Sequence, residues 1–121
     1  MKHLVKGRKF SRVKKVRTAL FKTLIGSFIV KEKITTTEAK AKEIKPMIDK
    51  IITKAKKISA DETKRVAIMR DLRKEIPLMA VKKLSGEFTV RFSSRTSGYT
   101  RILKIAQRKS DGAKMAIIEF V

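Results

Sequence analysis

Seven cations in twelve residues, Lys6, Arg8, Lys9, Arg12, Lys14, Lys15 and Arg17, stand near the start of a chain of 121 residues. No acid occurs before Glu32. Side chains of this type at this density suit one chemistry above others, the neutralisation of phosphates with release of their condensed counterions. A second cluster lies in Phe92-Ser-Ser-Arg-Thr-Ser-Gly-Tyr-Thr-Arg101, with Arg91 just before it. Guanidinium groups fork onto phosphate or stack on bases, hydroxyls donate to phosphate oxygens, and a glycine lets backbone approach. Arg91, Arg95 and Arg101 are therefore candidate RNA contacts. Tyr99 has two readings of equal weight, a ring packed in the core or a ring against a base. Lys2, His3, Lys22 and Arg108 complete the candidate set. Phe10, Phe21 and Phe28 read as packing residues.

Catalytic chemistry has little to work with. His3 is the one histidine, and there is no cysteine. That removes thiolate nucleophiles, disulfides and zinc sites of the usual His/Cys kind. A carboxylate magnesium site is the remaining formal option, but the acids sit at helix starts or interleave with lysines. Glu38 and Glu62 read as capping residues, and Glu43 and Asp49 as members of a solvated helix face. No phosphate-binding loop ending in Gly-Lys-Ser/Thr is present. The expectation is no enzyme, no metal and no cofactor.

The whole composition agrees with a polyanionic partner. Lys and Arg number 32 against 11 Asp and Glu, a net charge of +21. Such a surplus opposes compaction unless a partner offsets it. It is also uneven: residues 1–31 hold ten basic and no acidic residues, residues 32–64 nine and six, and residues 88–121 seven and two. Apolar residues make up 42%, enough for one domain with a core rather than a disordered chain. The longest apolar run, Leu24–Val30, is too short to cross a membrane.

These clusters need elements to hold them. Residues 1–12 read as a basic arm, followed by one domain over 13–121. Ser11 is an expected cap for a first helix to about Lys31, with Val13, Val16, Leu20, Leu24 and Phe28 as its apolar stripe and Phe21 and Ile25 widening it. Ile34-Thr35-Thr36 suits a short strand. A second helix, capped at Thr35 or Thr37, should carry Ala41, Ile44, Ile48, Ile51, Ala55 and Ile58 inward, with a bend at Pro46. Ser59 with Glu62 spells a capping box for a third helix to about Lys74, with Val66, Met69 and Leu72 inward. Pro77 opens a fourth, with Leu78, Val81 and Leu84 inward, stopped at Ser85-Gly86. Residues 88–98 read as a loop. Residues 99–121 read as a β-hairpin around Lys109-Ser-Asp-Gly-Ala113. The sum is a helix-rich α+β domain.

Several stretches, taken in order and spacing, resemble one family. They are His3 with Gly7-Arg-Lys-Phe-Ser-Arg12, Arg17-Thr-Ala19 with Leu24, Ile34 to Glu43, Ile52 to Lys56, Arg95 with Gly98 to Lys104, and Asp111 to Glu119. They are similar to the bacterial large-subunit ribosomal protein seventeen (L-seventeen) family. The sequence departs from it at Leu4-Val5, Thr96-Ser97 and Lys109-Ser110, and residues 60–90 match poorly. The resemblance starts at residue 3, which puts the arm in the family's mature protein rather than in a cleaved targeting peptide. It implies a two-layer fold with helices on a small three-stranded mixed sheet. It also implies a structural constituent of the large ribosomal subunit in the cytoplasm, bound to ribosomal RNA near the nascent-chain exit tunnel. The implied partners are large-subunit RNA and neighbouring ribosomal proteins, with no membrane and no homo-oligomer. Three rivals remain: a nucleoid-type DNA-binding protein, a membrane-surface protein that exposes Leu20, Leu24 and Phe28, and an enzyme with a carboxylate-held magnesium.

Overall fold

A computed structural model describes residues 6–121, apart from the side chain of Ser59. The candidate contacts Lys2 and His3 lie outside the described residues. Helix α1 spans Lys14–Lys31, strand β1 Lys33–Thr37 and helix α2 Glu38–Ala60. A 3-10 turn at Glu62–Lys64 leads into α3, Arg65–Glu75, and α4 follows at Leu78–Ser85. A second 3-10 segment, Glu87–Phe92, precedes strands β2, Thr100–Ile105, and β3, Met115–Phe120.

The two-layer α+β class is as expected, but the sheet is antiparallel throughout rather than mixed. Its order is β1-β3-β2. Ile34 faces Ile118 across one ladder, and Ile102 faces Ile118 across the other. β1 and β2 run the same way, but β3 lies between them, so no parallel ladder forms.

Helix α2 covers the sheet. Its strict three-and-four alternation holds: Ala41, Ile44, Ile48, Ile51, Ala55 and Ile58 are all buried, joined by Ile52. Burial of this many branched side chains is what fixes α2, at roughly 1.5–3 kcal/mol for each large one. Thr37, not Thr35, is its cap; the hydroxyl accepts from the Lys40 N–H at 3.4 Å. The helix runs on through Pro46.

Elsewhere the expected stripes shift. In α1 the buried side chains are Ile25, Phe28 and Ile29, whereas Val13 is 70% and Val16 52% exposed. Only the C-terminal half of α1 reaches the core; its first turns project beyond it. Ser11 does not cap α1, whose flanking residue is Val13 without a side-chain bond. Ser59 lies inside α2, and Asp61 takes over the turn by accepting from the Thr63 N–H at 3.0 Å. In α3 and α4, Val66 and Leu78 face solvent, while Leu72, Ala80, Val81 and Leu84 are buried. Residues 88–98 are not a plain loop, since the 3-10 segment buries Thr89 and Phe92. Phe92 joins an aromatic cluster with Phe28, Phe88, Tyr99 and Phe120, in which Phe28 and Phe120 lie 4.4 Å apart.

Candidate nucleic-acid interface

The arm is braced internally and tied to α1 and α2 by four side-chain contacts. Gly7 has φ of +95° and Phe10 and Ser11 have φ of 51° and 54°. This contorted path is held by side chains. The Arg8 N–H and Nη1 donate to the two oxygens of Glu43 on α2, at 3.2 and 3.0 Å. Phe10 packs edge-on against Phe21, centroids 5.9 Å apart. Arg12 Nη1 donates to the Phe10 carbonyl, and Arg17 Nη1 to the Arg12 carbonyl. Arg12 and Arg17 thus brace backbone with one nitrogen and keep their other donors. Lys6, Lys9, Lys14, Lys15 and Lys22 have no carboxylate partner among the described residues.

The second cluster is positioned differently. Tyr99 is 1% exposed, its ring packed on Phe92 and its hydroxyl donating to the Thr96 carbonyl at 3.0 Å. Of its two readings, core packing is the one the structure shows; a buried ring has no face for a base. The Tyr99 N–H donates to Asp49, and Lys56 donates to the Arg95 carbonyl, so α2 clamps the loop from below. Arg95 remains exposed at the tip, with Nη1 near the Gly98 carbonyl. Arg91 pairs with Glu32 and covers Phe88 and Phe92. Arg101 donates to Glu119 at 2.8 Å, and Arg108 makes a two-pronged pair with Asp111 at 3.0 and 2.7 Å.

The Arg8–Glu43 and Arg91–Glu32 pairs were not readable from spacing, because their partners lie 35 and 59 residues apart in sequence. Other pairs perturb their carboxylates. The Arg108 hydrogen bond, with help from the Ala113 N–H, pulls Asp111 down to about 2. Arg101 likewise holds Glu119 low, and Lys42 holds Glu38 low. Asp71 raises Lys54.

Arg91 lies apart from the arm. Arg91 is tied to Glu32 just past the C-terminal end of α1, and the arm lies at its N-terminal end. An 18-residue helix separates those ends by about 25 Å. The sequence reading took Glu43 and Lys50, a heptad apart through Met47, only as a solvated face, although Glu43, Met47, Lys50 and Lys54 form a four-three-four stripe beside the buried one. Among the described residues, no three acidic or histidine side chains gather in one place, and no helix is long and apolar enough to cross a membrane. Phe28 is fully buried and Leu20 and Leu24 partly so, which removes the exposed stripe a membrane-surface helix needs.

The family model for Ribosomal protein L17 matches residues 20–121. The chain belongs to the ribosomal protein L17 family. The large ribosomal subunit protein bL17 of Shouchella clausii is 42% identical over 93% of this chain and 97% of its own length. That of Petrotoga mobilis is 40% identical over the full chain and 97% of its own length. That of Sphingopyxis alaskensis is 44% identical over the full chain and 84% of its own. The last two alignments include the arm, which the family model leaves out. They also include residues 60–90, where the sequence motifs were weakest.

Proposed function

We propose that this chain is a non-catalytic structural constituent of the large ribosomal subunit that binds ribosomal RNA through two separate basic surfaces. Family membership supports the first part. The observation that carries the second is the run of unpaired cations, Lys6, Lys9, Lys14, Lys15 and Lys22, on an arm and helix end with no acid of their own. Arg12 and Arg17 add guanidinium donors beside them. Arg95 at the tip of the clamped loop supplies the other surface. Arg8, Arg91, Arg101 and Arg108 contribute less free charge, since each already faces a carboxylate. The core acts as a spacer that holds the two surfaces apart, so that the chain bridges two RNA segments rather than coating one. Neighbouring ribosomal proteins and a place near the exit tunnel belong to the same proposal.

Sucrose-gradient fractionation at moderate and then high salt tests it. The expected result is co-migration with the large subunit that survives the salt wash. Migration in light fractions, or with DNA, overturns it. Cross-linking to a stalled nascent chain tests the tunnel location.

A further inference from the structure

Two hollows of about 390 and 670 Å³ adjoin between α1 and α2, the first bounded also by Lys74 and Glu75 of α3 and the second by Lys6 to Lys9 of the arm. Both are lined by Phe21, Met47 and Lys50, so they form one groove. Each lies in the range of about 300–1,000 Å³ that binding sites usually occupy. The floor is apolar, with Ile25, Ile51 and Pro46 beside Phe21 and Met47. The walls are cationic: basic side chains outnumber acidic ones nine to two. Lys9, Arg17, Lys22, Lys50 and Lys74 have no carboxylate partner among the described residues. Apolar floor and cationic rim are the two halves of a single-strand site, where bases cover aromatic or apolar side chains and phosphates track the charges. A duplex fits less well. It presents phosphates but hides its base faces, and would leave Phe21 and Met47 wet.

We propose that the groove between α1 and α2 binds a short unpaired stretch of RNA, its bases over Phe21 and Met47 and its phosphates along Lys22 and Lys50. From Lys42 to Lys54 the α2 wall is about 18 Å long, room for a few nucleotides. The proposal rests on the RNA-binding reading above and adds the kind of RNA. It also gives α2 a binding role that the basic arm alone does not require.

The test compares the full chain's affinity for a ten-nucleotide single-stranded RNA and for a hairpin of similar size, by fluorescence anisotropy at one salt concentration. Phe21→Leu keeps an aliphatic side chain in the fold and removes the aromatic face. It is expected to weaken single-strand binding by about tenfold and hairpin binding by clearly less, the latter through the loosened Phe10 contact of the arm. Lys50→Gln, at an exposed position, is expected to weaken the single strand more than the hairpin, and decides the matter should Phe21→Leu melt early. Equal losses on both RNAs, or none on either, overturn the groove while the RNA-binding reading stands. No loss from either variant together with capture of a neighbouring ribosomal protein at the groove gives the site to a protein and also overturns it. A wild-type chain that binds neither RNA overturns the RNA-binding reading itself.

Discussion

Glu43 stands inside the most basic part of the molecule and accepts two hydrogen bonds from Arg8. Its side chain is only 14% exposed, against 47% for Arg8. An exposed ion pair contributes about 0–1 kcal/mol, but here the contact also fixes the path of the arm. Glu43→Gln is expected to leave the domain's melting temperature nearly unchanged and to speed protease cleavage after Arg8 and Lys9; an unchanged cleavage rate would show that Phe10 on Phe21 suffices. The same pair shows where sequence reading stops. Lys9 and Lys15 were legible as candidate phosphate contacts from density of charge alone, but which arginines already face a carboxylate depends on contacts across the fold. Tyr99 is a second instance: spacing offered two readings, and only packing on Phe92 chose. At the hairpin turn the carboxylate can be followed directly. Asp111 falls from an ordinary 3.8 to about 2 beside Arg108. A depressed carboxyl favours the folded turn above its unfolded value, and that contribution is lost as pH falls from about 4 through about 2. NMR titration should find Asp111 ionised at pH 3, and Arg108→Ala should bring it back toward 3.8.

Among elements, the crossing of α1 and α4 is the tightest constraint. Gly26 is buried in α1, and a Cβ built on it would lie 2.5 Å from Pro77 Cδ and 2.6 Å from Cγ. A proline ring cannot swing aside, so the two backbones would have to part. Gly→Ala in a helix gains roughly 1 kcal/mol from propensity, but overpacking a fitted contact costs roughly 1–3 kcal/mol. Gly26→Ala is therefore expected to lower stability by about 1 kcal/mol and the melting temperature by about 4 °C. A raised melting temperature would show that the helices have slack. α2 was legible almost residue by residue because its alternation runs unbroken over six positions and the sheet, α3 and α4 all pack against it. α1 was legible as a helix but not in its buried face, since periodicity marks a stripe and not which turns have a neighbour. Val13 and Val16 satisfy the pattern where nothing packs. The β2–β3 hairpin was legible from its turn, but the antiparallel pairing of β1 with β3 was beyond local pattern, because it depends on β3 entering between two strands made earlier in the chain.

For the whole molecule, the surplus of +21 is the quantity to explain, and the ion pairs divide it. Acids spent on Arg8, Arg91, Arg101 and Arg108 leave those guanidiniums half-neutral and concentrate the free charge at the arm, the first turns of α1, and the groove. Counterion release counts only charges that meet phosphates. The slope of log affinity against log salt falls in magnitude by roughly 0.7–0.9 for each contact removed. Lys14→Gln and Lys15→Gln should therefore each flatten the slope by close to one contact on large-subunit RNA fragments. Arg108→Gln should leave the slope nearly unchanged, because an Arg108 held by Asp111 has no phosphate contact to lose; the unpaired Asp111 left behind lowers affinity without changing that count. Were Arg108→Gln to flatten the slope as much as Lys14→Gln, the Asp111 pair would have to open on RNA. The hairpin would then be a third binding surface rather than a neutral cap on the fold.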